Sequence, residues 1–112
     1  LEKELPSITD AFDLFVVALN EGRYYDAHED LEAIWFPRRF EDDDEVRLWK
    51  GFINAAVSFE LIKKGRPLPA KKVWGNYQKY LPLLGTFETS HYEMYVKIAN
   101  LIQEKYEEYT YV

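Results

Sequence analysis

The residue types best suited to chemistry are concentrated in one short stretch, Tyr24-Tyr25-Asp26-Ala27-His28-Glu29-Asp30-Leu31-Glu32-Ala33-Ile34-Trp35. An imidazole and a carboxylate four residues apart on a helix project to the same side, so His28 and Glu32 can reach one ion, one ligand or each other. With about 100° of turn per residue and His28 as origin, Tyr24 falls near −40°, Leu31 near −60°, Trp35 near −20° and Glu32 near +40°. On the same wheel Tyr25 falls at about +60°, Phe36 at about +80° and Glu29 at about +100°, with Asp26 and Asp30 on the opposite, solvent side. His28 and Glu32 are thereby expected inside an aromatic stripe. An ionisable group enclosed there must be paired, protonated or bound to a metal, because burying an unpaired charge costs several kcal/mol.

A second segment repeats the pattern. Glu60 shares a helical face with Ile53, Ala56 and Val57, while Asn54 sits on its flank with Leu61. If the two segments pack as an antiparallel hairpin, His28, Glu29, Glu32, Asn54 and Glu60 form one inward polar cluster roofed by Trp35 and Trp49. Two chemistries fit such a cluster. In one, His28 and Glu32, joined by Glu60, hold a divalent metal of the iron, manganese or zinc type found in helical bundles, with Glu29 or Asn54 behind them. In the other, the groups hydrogen-bond one another and fix the packing of an apolar core with no ligand at all; this is the favoured reading. The pattern is His-Glu-x-x-Glu and lacks the second histidine of the zinc proteases. For Trp35 and Trp49, core anchoring is favoured over stacking on a substrate, since burying ~150–250 Å² of indole at ~25 cal/mol per Å² contributes about 4–6 kcal/mol.

The elements that must position these residues are helical throughout. Ser7, with Asp10 three residues on, opens a helix that stops at Gly22. A second helix is expected over about 24–36, closed by Pro37, then a charged loop to Asp44. A third runs from about Asp44 to Lys64, ends at Gly65, and is apolar nearly all round, which marks it as the central helix. Pro69 suits the first turn of a fourth helix, which Pro82 and Gly85 end. A fifth covers about 89–109, with His91 capping its start. The architecture predicted is all-α: a single helical domain over residues 1–112, about five helices in stacked hairpins around the central apolar one. Tyr106, Tyr109 and Tyr111 suit either docking on another subunit or a helix lying on its own domain.

Composition excludes several functions. The 112 residues contain no Cys, so disulfide frameworks, cysteine-bound zinc and thiol catalysis are ruled out. No apolar run approaches the ~18–20 residues of a membrane span. No cleavable signal pattern opens the chain, whose start at Leu1 reads as an initiator Met trimmed or left out, and the expected compartment is the cytoplasm. Residues 1–60 hold 6 basic and 15 acidic side chains, a net of −9, whereas residues 61–87 hold 6 basic and none acidic. An overall net charge of −6 repels nucleic acid and anionic lipid. The basic stretch Lys63, Lys64, Arg66, Lys71, Lys72 and Lys79 is expected to neutralise the acidic run Glu41–Glu45, in this chain or a neighbour. Phosphate or nucleic-acid recognition by that stretch is the lesser alternative.

The stretch Gly22–Trp35, with its aromatic pair before Ala-His-Glu followed by Leu-Glu and a Trp, resembles the signature of the domain-of-unknown-function family three hundred and nine. Lys50-Gly51-Phe52-Ile53-Asn54-Ala55-Ala56-Val57, continuing to Lys63-Lys64-Gly65, is similar to that family's second block, and the likeness spans roughly residues 15–81. The chain departs from the family's pattern at Asn54, where Gln is common, and at Glu60, where His is frequent. The resemblance implies a small, cytosolic, all-helical protein with no settled activity. Taken together, the residues predict a binding or interaction module, self-associating or engaging another protein, with neither membrane nor nucleic acid as partner. The competing expectation is a metal- or small-ligand-dependent enzyme using His28, Glu29 and Glu32.

Overall fold

Ser7 starts the first helix as its spacing predicts: its Oγ accepts a hydrogen bond from the Asp10 N–H at 3.0 Å. The computed structural model describes residues 5–110, and among them the order is α1 (Ile8–Asn20), α2 (Tyr24–Trp35), α3 (Asp44–Lys63), α4 (Pro67–Tyr80) and α5 (Tyr92–Thr110). No strand occurs among the described residues. Gly22 and Gly65 end α1 and α3 at φ +73° and +74°, a conformation that L-residues with a Cβ adopt only under strain. Asp43 caps α3, its carboxylate accepting from the Glu45 and Val46 N–H groups.

The ends depart from expectation where proline is involved. Pro37 does not stop the chain's winding after α2 but sits in a 3-10 turn over Phe36–Arg38. Pro82 does the same in a turn over Leu81–Leu83. The fourth helix begins at Pro67, two residues before Pro69, because a proline at the first helical position forfeits no internal hydrogen bond. The fifth starts at Tyr92 instead of Thr89, since the Thr89 hydroxyl turns back to accept from the His91 N–H at 3.1 Å. The backbone carbonyl of His91 accepts from Tyr95 at 3.0 Å, so His91 stands at the helix start through its main chain.

The helices pack in sequence, α1 on α2, α2 on α3 and α3 on α4, as two stacked hairpins with α3 at the centre. Phe52, Ile53, Ala55, Ala56, Ser58 and Phe59 of α3 are all buried, and Ser58 satisfies its hydroxyl on the Ala55 carbonyl at 2.6 Å. Helix α5 lies across the hairpins through aromatic contacts. Tyr95 packs on Phe12 and Phe52, Tyr106 stacks on Trp74 at 4.0 Å between ring centres, and Tyr109 packs on Phe59. The tail tyrosines Tyr106 and Tyr109 are therefore engaged within this chain; Tyr111 lies outside the described residues.

One helix contact is unusually close. Gly51 is buried in mid-α3, and a Cβ built there would stand 2.8 Å from the Cβ of Tyr80. The end of α4 reaches α3 only because Gly51 has no side chain.

Three phenols sit in this core with their ionisation suppressed. Burial pushes Tyr24, Tyr77 and Tyr95 well above the ordinary tyrosine value of 10.0, helped at Tyr24 by the hydrogen bond with Tyr109. Each keeps its proton in the folded chain when the unfolded chain would lose it, so its contribution is complete below pH 10 and disappears as pH rises beyond that. Urea denaturation between pH 9 and 12 should show stability falling above about pH 10 by up to ~4 kcal/mol per pH unit, with Tyr77→Phe reducing the slope by about 1.4. A flat profile would contradict the burial of these phenols.

Candidate functional site

The buried face of α2 is made by Tyr24, Ala27, Leu31 and Ile34. On the helical wheel that stripe centres near −80° from His28, not on His28 itself, because Tyr25 and Phe36 are surface residues, 55% and 54% exposed. His28 consequently lies on the flank of the core, with its side chain 20% exposed, and Glu32 further out, at 39%. The expected burial of the pair is corrected to a half-open position.

His28 Nε2 and Glu32 Oε1 are 2.5 Å apart, as i,i+4 partners on one helix. The other ring nitrogen, Nδ1, is sealed from water and has no hydrogen-bond partner, while the edge of Tyr25 packs on the imidazole. Nε2 is thus paired with Glu32, and Nδ1 is enclosed by the protein around it. The remaining cluster residues lie elsewhere. Glu29 is exposed. Asn54 donates to the Lys50 carbonyl at 2.7 Å and faces Asn76 of α4. Glu60 pairs with Lys64 at 2.8 Å, one turn along α3, because a lysine four residues on is the nearest counter-charge. Among the described residues no three His, Asp or Glu side chains come together in a way that could hold a metal ion.

The two tryptophans point to different places. Trp49 is buried and donates from Nε1 to the Tyr95 hydroxyl at 2.9 Å; that hydroxyl donates to Glu45 at 2.5 Å, and Thr89 donates to the same carboxylate at 2.8 Å. This chain of bonds ties α3 to α5 and to the turn before it. Nothing in the local sequence pattern marks it, since Tyr95 is 46 and 50 residues from its partners. Trp35 is half-buried, packed against the edge of the core, and the Lys50 ammonium lies 4.2 Å from its ring centre.

Trp35 and Lys50 open onto a cleft of about 560 Å³, also lined by Arg39, Phe40, Glu41, Asp42, Val46, Arg47, Lys79 and Tyr80. It lies where the C-terminal ends of α2 and α4 flank the first turns of α3, the approach that Gly51 permits. The acidic run beside it is satisfied locally: Arg38 pairs with Glu41 and Asp43, and Arg47 with Asp42 and Asp44. Hydrogen bonding from Arg47 holds the Asp42 carboxyl below its ordinary value. The expectation that residues 63–79 neutralise the run within this chain is therefore corrected. Those lysines disperse, Lys63 to the Gly22 carbonyl and Lys64 to Glu60, and Lys79 alone of the stretch reaches the cleft. Lys50 and Lys79 meet no carboxylate within ion-pair distance among the described residues, and each ammonium lies over an aromatic ring.

The family described as "Domain of unknown function (DUF309)" matches residues 12–73, more than half of the chain. The chain belongs to this family. An uncharacterized protein of Aquifex aeolicus (strain VF5) is 36% identical over 50 residues, covering 45% of this chain and 14% of that protein. The chain thus spans a small part of the length of the curated relative it matches. No solved structure matches. The family match includes α2, the acidic turn and α3, and stops at Val73, so Lys79 and Tyr80 complete the cleft from beyond it. No helix among the described residues is long and apolar enough to cross a membrane.

The bond chain through Tyr95 makes a direct prediction. Tyr95→Phe keeps the ring but strands the buried Trp49 N–H, so urea denaturation should show a loss of ~1–3 kcal/mol. A change within ~0.5 kcal/mol would mean that the hydroxyl does not hold α5 in place.

Proposed function

We propose that this chain is a helical binding module in which the His28–Glu32 pair is architectural and the cleft beside Trp35 is the recognition surface. The observation that carries this reading is the imidazole itself: Nε2 is taken by Glu32 and Nδ1 is sealed, so neither nitrogen is presented to a substrate or a third ligand. The cleft, by contrast, leaves two ammonium groups and the faces of Trp35 and Tyr80 without polar partners of their own. Ligand pockets commonly combine apolar walls with a few converging polar groups at this size. In this reading residues 1–112 act as one domain in the cytoplasm. A second copy of the chain is the protein partner proposed, through the outer side of α1, where Leu14 and Val17 are exposed.

The second reading, a metal-dependent enzyme built on His28, Glu29 and Glu32, is favoured by one observation, the close approach of His28 to Glu32. The two readings separate on one preparation, purified without a histidine tag. His28→Ala should lower stability by ~1–2 kcal/mol in urea through loss of the Glu32 bond and of ring packing, and metal content should be the same in wild type, His28→Ala and Glu32→Ala. Stoichiometric iron, manganese or zinc in the wild type that vanishes in Glu32→Ala would replace the binding module with the metal enzyme.

A further inference from the structure

We propose that the cleft between the ends of α2 and α4 binds a small phosphorylated molecule carrying a flat ring, of the nucleoside monophosphate class. The inference rests on the binding-module reading and names its ligand. Sign comes first. The lining carries Arg39, Arg47, Lys50 and Lys79 against Glu41 and Asp42, and both carboxylates are already engaged, by Arg38 and Arg47. With the pairing partners Arg38, Asp43 and Asp44 included, five cations stand against four carboxylates, and Lys50 and Lys79 stay outside those pairs in a chain of net charge −6. That overall charge repels long polyanions at a distance while leaving a small anion free to enter.

The type of cation narrows the class. The fork of an arginine matches carboxylate and phosphate alike, whereas a lysine ammonium binds an anion as a point charge. Arg47 is paired with Asp42 and Asp44, and Arg39 donates to the Phe36 carbonyl with its guanidinium over the Phe36 and Phe40 rings. Lys50 and Lys79 have neither a carboxylate nor a carbonyl partner among the described residues, and their compact charges suit the several oxygens of a phosphate group. Each rests on a ring in the absence of an anion, Lys50 at 4.2 Å from the centre of Trp35 and Lys79 at 5.7 Å from that of Tyr80. A phosphate drawing the ammoniums together would uncover those rings, and a planar base could take their place by stacking. A cleft of about 560 Å³ has the capacity for such a ligand.

Titration with adenosine, guanosine, cytidine and uridine 5′-monophosphates tests the proposal, read by calorimetry and by tryptophan fluorescence. Trp49 and Trp74 are buried, so a quench reports on Trp35. At least one of the four should bind saturably at one per chain, its parent nucleoside and inorganic phosphate each at least tenfold more weakly. Lys50→Gln and Lys79→Gln should each weaken binding tenfold or more with the helical circular dichroism unchanged, and Lys97→Gln, on α5, should not. No saturable binding by any of the four, equal binding of the parent nucleoside or of inorganic phosphate, tighter binding of a polyglutamate peptide, or indifference to both lysine variants would overturn the assignment. If the nucleotides fail while metal content stays independent of Glu32, this inference falls and the binding-module reading stands. Glu32-dependent stoichiometric metal would remove the reading beneath it.

Discussion

The approach of α4 to α3 at Gly51 is the constraint on which the rest of the molecule depends. Two helices normally keep their axes apart by the width of the side chains between them. Here one of those side chains is missing, and the Cβ of Tyr80 occupies the space a Cβ on residue 51 would need. The end of α4 is drawn onto the first half of α3, and Lys79 and Tyr80 arrive opposite Lys50 and Trp35. Without that approach the two rings and two ammonium groups would belong to separate surfaces. The cleft is a product of a packing contact, not of a loop.

The core on the other side of α3 follows a different rule, in which large aromatic rings supply burial and their polar tips are satisfied in pairs. Trp49, Tyr95 and Glu45 form one such series and Tyr24 with Tyr109 another, at 2.6 Å between hydroxyls. Burying rings this way gives a small chain much apolar area, and the tips then dictate register between helices distant in sequence. The acidic run at the start of α3 obeys the same economy: Glu41, Asp42, Asp43 and Asp44 find Arg38 and Arg47 close in sequence, Asp43 also caps the helix, and Glu45 accepts from Tyr95 and Thr89. Local satisfaction there is what leaves the lysines of the cleft without partners.

Much of this was legible in the chain. Ser7 has the spacing of a helix cap, Gly22 and Gly65 mark stops, and the all-round apolar character of α3 identifies the central helix. Family membership could be read from the Ala-His-Glu and Lys-Gly blocks. The face of α2 could not be read correctly, because a wheel weights Tyr25 and Phe36 as core when they are surface aromatics, and the stripe turns by about 80° once they are removed. An antiparallel register places Glu60 and Asn54 beside His28, whereas Asn54 bonds Lys50 within α3 and Glu60 pairs with Lys64 at its C-cap. The nearness of Lys50 and Tyr80 gave no signal, since it arises from the missing side chain at Gly51 and not from the family block that holds Lys50. The same holds for Tyr95, whose partners lie on another helix.

Urea denaturation of Gly51→Ala tests the central claim most directly, since two effects there have opposite signs. In an ordinary helix interior, replacing glycine by alanine stabilises by roughly 0.5–1 kcal/mol. With the Tyr80 Cβ 2.8 Å away, alanine must push α4 aside, and the account predicts a loss of ~1–3 kcal/mol. A variant as stable as the parent, or more stable, would contradict the close approach that places Lys79 and Tyr80 against Lys50 and Trp35.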